Sequence, residues 1–189
     1  MSAVLSQQRA AGADANARLL FQKRLQAVTN KIHSTKVVDE IMLEVSADIC
    51  TLFNADRLTI YSVGEDKQTI VSKVKTGLNS FKDLRLPITE QSIAGFVALA
   101  KRIANISDVY DEAELKALHP SLRFLQEVDK RTGYRTKQML VAPILDSSGG
   151  LLGVVQLINN KAGSPFASVA EEGVKSLCET LAIAFQQRN

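Results

Sequence analysis

The residues best equipped for chemistry lie in the stretch DKRTGYRT, 129–136. Asp129, Thr132 and Thr136 stand there among Lys130, Arg131 and Arg135, just before the apolar run QMLVAPIL. So many hydrogen-bonding side chains exceed what a tight turn needs. They suit either a polar loop that opens a hairpin or one wall of a ligand pocket. Catalytic signatures are absent elsewhere: there is no GxxxxGK phosphate loop, no GxSxG elbow and no HExxH zinc helix. Gly149, Gly150 and Gly153 lie in a hairpin pattern rather than between a strand and a helix, so they read as turn and packing residues. His33 and His119 have no Cys or carboxylate at ligand spacing and read as surface or helix-end residues. Cys50 and Cys178 sit beside Ile49 and Leu177, with no His, Lys or Arg placed to hold a thiolate, and read as core fillers. Asp111, Glu112 and Glu114 form an acidic helix start that complements the helix dipole. The expectation is a chain without enzymatic activity and without a metal.

The bulk numbers are close to the soluble globular average. At 189 residues, 46% apolar and 23% charged, the chain suits one domain with helical extensions. A net charge of +3 without a basic run forces no nucleic-acid partner. The longest apolar runs, LVAPIL and LLGVVQLI, are far short of a membrane helix, and the N-terminus lacks the apolar core of a signal peptide. Two widely separated cysteines fit a reducing cytoplasm better than a disulfide framework.

The elements that must position these residues can be read from periodicity. Residues 1–34 read as an extension: a frayed first dozen, then a helix whose Phe21, Leu25, Val28 and Ile32 form a narrow stripe suited to pairing with another helix. Ser34 or Thr35 can cap a second helix carrying Val38, Ile41, Val45, Ile49 and Leu52. RLTIYSV (57–63) and TIVSKVK (69–75) read as a hairpin across GEDKQ, and DLRLPI (83–88) as an edge strand ending at proline. A short helix spans 92–102 and IANI follows it. The stretch 111–129 is helical in pattern but must break or kink at Pro120. Strands 138–145 and 151–159 flank the turn DSSGG. Ser164 and Pro165 resemble a helix start, and the last helix shows Phe166, Val169, Val174, Leu177, Leu181 and Phe185 on one face. The pattern implies an α+β domain: an antiparallel sheet with helices on one face and long N- and C-terminal helices.

QSIAGFVALAKRIANISDVY, followed by TGYRTKQMLVAPILDSSGGLLGVVQLINNK, resembles a GAF domain, and most of all the cyclic-nucleotide-binding GAF domains of phosphodiesterases and adenylate cyclases. The resemblance covers roughly 35–187, within a domain read as 35–189, and implies a six-stranded antiparallel sheet with helices behind it and a ligand pocket on the other face. It also implies long terminal helices that pair with those of a second copy, giving a homodimer. The implied ligand is a small molecule, cAMP or cGMP or another purine-like or anionic metabolite, and no permanent cofactor. The backbone amides of Ile93 and Ala94 match phosphate-contacting positions, which suits unpaired N–H groups at a helix start. Asp129, Thr132 and Thr136 match ligand-side residues of a lid segment, although a threonine hydroxyl also commonly bonds its own backbone. Thr59 and Gln156 match floor positions facing the base. Lys75 and Thr76 stand where binders carry an aromatic and an acidic residue, and Leu125 stands where they carry an aromatic. The Asn-Lys, Phe and Asp-Glu signature of the family is represented by Asn160, Lys161, Phe166 and Glu171. Ala170 takes the Asp position, leaving Lys161 to pair with Glu171 or Glu172.

Three functions follow for comparison. The first is a regulatory sensor that closes 111–136 over a ligand and signals through its terminal helices to an unknown effector. The second is a degenerate GAF domain serving dimerisation or protein interaction with no ligand. The third, a methionine sulfoxide reductase of the kind found in one GAF-like branch, needs paired thiols near the pocket. Cys50 and Cys178 lie on helices instead, and no Cys lies in 92–136 to hold a bilin.

Overall fold

The computed structural model describes the backbone of residues 2–35, 37–75 and 81–188, and the side chains of 11–35, 37, 40, 41, 43–72 and 84–187. The chain runs α1 (Ser2–Ser34), α2 (Val38–Glu44), α3 (Ser46–Phe53), β1 (Ala55–Val63), β2 (Thr69–Lys75) and β3 (Phe81–Pro87). It continues through α4 (Ile93–Ala100), β4 (Ala104–Ile106), α5 (Glu112–Leu118), α6 (Glu127–Thr132), β5 (Met139–Leu145), β6 (Leu151–Asn160) and α7 (Ser168–Arg188). The six strands form one sheet in the order β3-β2-β1-β6-β5-β4, every neighbouring pair antiparallel. This is the expected α+β class.

Alternation along β1 divides the molecule. Leu58 and Ile60 face a core shared with Leu140, Ala142, Ile144, Val155 and Leu157, closed by the apolar sides of α1, α2, α3 and α7. Tyr61 faces a second core with Ile70, Val141 and Val154, covered by α4 and by Leu115 of α5. Thr59 shares the face of Tyr61 because side chains two apart on a strand point the same way. Each fully buried Leu, Ile or Phe adds roughly 1.5–3 kcal/mol relative to exposure, so two cores of this size hold the sheet between them.

Several local expectations need correction. The first dozen residues are not frayed, because α1 begins at Ser2. Its stripe is used within the chain: Val28 and Ile32 are buried against α7 and α3, and the Phe21 ring stacks edge-on against Phe53 at 5.6 Å. The helix after it is interrupted at Val45, giving α2 and α3. Ser34 and Thr35 do not cap it. Their hydroxyls donate to Lys31 O at 2.8 and 2.9 Å and so close the end of α1. The last helix starts at Ser168, not Ser164, because the carbonyls of Pro165 and Phe166 accept from the distant amides of Asn160 and Asn105. Pro120 does end a helix, separating α5 from α6.

Candidate ligand site

The sheet face opposite the terminal helices holds the candidate site, and β1 and β6 set its floor. Their register pairs Thr59 with Gln156, and Gln156 in turn with Val141 of β5. The Gln156 side chain is buried, at 8% exposure, and the Tyr61 side chain lies beside it at 2%. Burial pushes the Tyr61 phenol well above the ordinary tyrosine value, and the neighbouring Thr59 and Gln156 side chains offset part of that.

Helix α4 lies over this floor. Ser92 caps it, its Oγ accepting from Gly95 N at 3.0 Å and its carbonyl from Phe96 N at 2.9 Å. The buried amides of Ile93 and Ala94 are left as first-turn donors without a hydrogen-bond partner among the described residues. Gly95 is required by close approach: a Cβ there would sit 2.4 Å from Pro87 O and 2.6 Å from Thr89 O. The SIAGF sequence thus lets the β3 exit press against the first turn of the helix.

The DKRTGYRT stretch forms α6 and the loop into β5, and its polar groups mostly bond each other. The Asp129 carboxylate, buried at 6% exposure, accepts from Tyr110 Oη at 2.9 Å and from Thr136 N and Oγ1 at 2.8 Å each. Thr132 is exposed; its hydroxyl donates to Val128 O at 2.7 Å and accepts from Tyr134 N at 3.3 Å. Gly133 ends α6 in the left-handed region, at φ 68°. Tyr134 then ties the segment to the sheet. Its hydroxyl donates to Asp56 at 2.5 Å and accepts from Asn159 Nδ2 at 2.9 Å, while the Arg57 guanidinium lies 3.5 Å from the ring centroid. Burial, with the Asp56 carboxylate, pushes the Tyr134 phenol up to about 12. Arg135 lies 3.5 Å from the centroid of the Tyr110 ring, which packs edge-on against Phe124 at 5.2 Å.

Thus Thr59 and Gln156 meet on the floor, with Ile93 and Ala94 in the same core. Asp129 and Thr136 meet each other, and Thr132 is taken up by its own helix. Lys75 pairs through its backbone with Phe81, but its side chain and all of Thr76 lie outside the described residues. Leu125 is half-buried, and the nearby aromatic groups are Tyr110 and Phe124. The signature residues hold the far edge. Asn160 Oδ1 accepts from Ala162 N at 3.0 Å, and Lys161 N donates to Asn54 O at 2.9 Å. Phe166 is buried. The expected pairing of Lys161 with Glu171 or Glu172 does not form among the described residues. Glu171 instead accepts from Asn105 Nδ2 at 2.6 Å, the same nitrogen that donates to Phe166 O at 2.8 Å. Burial raises the thiols of both Cys50 and Cys178, the opposite of what a thiolate nucleophile needs.

The GAF domain family profile matches residues 38–185, most of the chain and every strand. The chain belongs to the GAF family. Among sequences, this GAF domain is 30% identical over 170 residues to a dual 3',5'-cyclic-AMP and -GMP phosphodiesterase 11A of Takifugu rubripes. It is 38% identical over 183 residues to a dual 3',5'-cyclic-AMP and -GMP phosphodiesterase 11 of Drosophila melanogaster. Those matches cover 84% and 89% of this chain but 17% and 12% of the relatives, so it spans a small part of their length. Among solved structures, the GAF domain of a Coxiella burnetii phosphoenolpyruvate-protein phosphotransferase aligns with a TM-score of 0.71 at 21% identity, covering 90% of this chain and 95% of that one. A free methionine-R-sulfoxide reductase of Neisseria meningitidis aligns at 0.67 and 13% identity, covering 90% and 91%, which is a likeness of fold. GAF domains are regulatory small-molecule modules, and in phosphodiesterases the catalytic domain is separate.

Sequence reasoning missed Tyr61, Asn105, Tyr134 and Asn159. Tyr61 was findable, because it alternates with Thr59 on the same strand face. Asn159 was not: it depends on a left-handed φ of 54° that aims its side chain at Tyr134, Arg135 and Lys137.

Proposed function

We propose that this GAF domain is a cytoplasmic sensor that binds a cyclic nucleotide, cAMP or cGMP, or a related purine carrying an anionic group, between the sheet floor and α4. One observation carries the reading. The buried Gln156 amide and the unpaired Ile93 and Ala94 amides border the same core, so a base-directed group and an anion-directed group sit on one face. The similarity to phosphodiesterases named for cyclic AMP and GMP supports the ligand class. In this reading Thr59 and Gln156 meet the base and the α4 amides meet the phosphate. The segment holding Asp129, Thr132 and Thr136 covers the ligand, Lys75 and Thr76 border it, and α1 and α7 pass the change to an effector. Isothermal titration with cAMP, cGMP and cyclic dinucleotides tests it. Saturable heat and a raised melting temperature with at least one nucleotide are expected, and no heat and no shift with any overturns it.

A second reading, an interaction module without ligand, is favoured by a different observation. Asp129, Thr136 and Tyr134 already have partners inside the protein. A ligand that orders this segment must add to those bonds or exchange them, and unchanged amide exchange in this segment in excess nucleotide would favour the interaction module.

A further inference from the structure

The fold gathers cations that the sequence keeps apart. Lys130, Arg131, Arg135 and Lys137 share one segment, and Arg57 is far from them in the chain. Arg57 pairs with Ile158 across the β1–β6 ladder. The next residue, Asn159, anchors the segment at that end of the sheet. Its Nδ2 donates to Tyr134 Oη and to Arg135 O, and its Oδ1 accepts from Lys137 N. The Arg57 guanidinium then lies over the Tyr134 ring and that of Arg135 over the Tyr110 ring, each 3.5 Å from the centroid. All five cations are exposed, and none forms an ion pair among the described residues. Of the carboxylates beside them in the chain, Asp129 is buried and accepts from Tyr110 and Thr136, and Asp56 accepts from Tyr134. That leaves Glu127 as the exposed acid against five exposed cations.

We infer that this end of the sheet is a docking surface for an acidic protein segment, which sets carboxylates on Arg57 and Arg135 and an apolar side chain on Val128. A guanidinium laid flat on a ring has one face covered and keeps its planar fork of N–H donors at the edge, the geometry that takes a carboxylate in two parallel hydrogen bonds. Like charges gathered without counter-charges also repel one another, and an anionic partner relieves that. Two observations favour a peptide over a nucleic acid. The guanidinium groups occupy tyrosine faces that bases would use for stacking, and Tyr110 also packs edge-on against Phe124. Val128, 42% exposed on α6, lies three residues before Arg131 and therefore on the same side of that helix, where a phosphate backbone has no use for it. No nucleotide is needed for this docking.

Fluorescence anisotropy of the intact chain with a short labelled peptide of glutamates flanking one leucine tests this. Saturable binding is expected, weakening as salt rises from about 50 to about 300 mM, and the same peptide with glutamines in place of glutamates is expected not to bind. Arg57→Gln with Arg135→Gln is expected to lower the affinity about tenfold. Lys23→Gln with Arg24→Gln removes the same charge from exposed positions on α1 and is expected to leave the affinity unchanged. If the first pair of substitutions prevents folding, Lys130→Gln with Lys137→Gln, which keeps both stacked arginines, is expected to weaken binding in its place. No binding of the glutamate peptide, equal binding of the glutamine peptide, or equal losses from the α1 substitutions and those at the patch overturns the inference. Tighter binding of single-stranded DNA or of phosphatidylserine vesicles than of the peptide overturns it as well.

Discussion

Asp129 shows how a side chain that looks like a ligand contact can first serve the loop that carries it. Its carboxylate receives three hydrogen bonds, two from Thr136 and one from Tyr110. Asp129→Ala leaves those donors facing an apolar gap, and a loss of about 2–4 kcal/mol is expected from leaving buried polar groups unpaired. Asn at the same position keeps one acceptor and is expected to lose less; equal midpoints for wild type and Ala in urea would contradict this. Tyr134 gives a pH dependence. Its phenol ordinarily titrates near 10 and here near 12, so the unfolded chain releases its proton first as pH rises. The stability this contributes is complete below pH 10 and is lost between there and pH 12. Tyr134→Phe is expected to flatten that part of an alkaline denaturation curve, and superimposable curves would exclude the effect. The polar set in 129–136 was legible as residue types, but its partners were not, since Tyr110, Asp56 and Asn159 come from three other segments.

At the scale of elements, strands were easier to read than helix ends. The β-branched runs at 57–63 and 69–75 and the turns GEDKQ and DSSGG carry their own local chemistry. Asp66, for example, accepts from Gln68 N and Thr69 N, and Asp146 from Ser148 N and Gly150 N. The break at Val45 was hidden because the apolar period continues across it. The start of α7 was misread because distant carboxamides hold the 164–167 segment out of the helix. Two substitutions probe how elements are clamped. Gly95→Ala would drive a methyl into the carbonyls of Pro87 and Thr89, which are backbone and cannot swing away. A cost of about 1–3 kcal/mol is expected, together with faster hydrogen exchange in α4. Asn105→Ala removes the clasp from edge strand β4 to Phe166 O and Glu171. It is expected to cost about 1–2 kcal/mol and to raise exchange in the first turn of α7 while leaving β1 and β6 unchanged. Uniform changes across the sheet would contradict a local clasp.

At the scale of the molecule, the terminal helices lie together on the face opposite the site. Leu19 and Leu20 on α1 and Ile183 on α7 stay about half exposed, at 52%, 50% and 47%. Because the Phe21 to Ile32 stripe is used inside the chain, a dimer through the terminal helices would have to draw on these residues. We expect sedimentation to show a dimer that Leu20→Glu with Ile183→Glu converts to monomer; a monomeric wild type would refute it. Among the described residues no helix is long and apolar enough to cross a membrane.

One consequence follows from the length of α1. Its contacts with Phe53 and α7 begin near Phe21, while residues 11–20 are exposed. The portion from Ser2 to Phe21 therefore extends about 28 Å beyond the Phe21–Phe53 contact. Were the helix to tilt by about 5° at that contact, Ser2 would move by about 2.5 Å, as the tip of a pointer magnifies a small turn at its base.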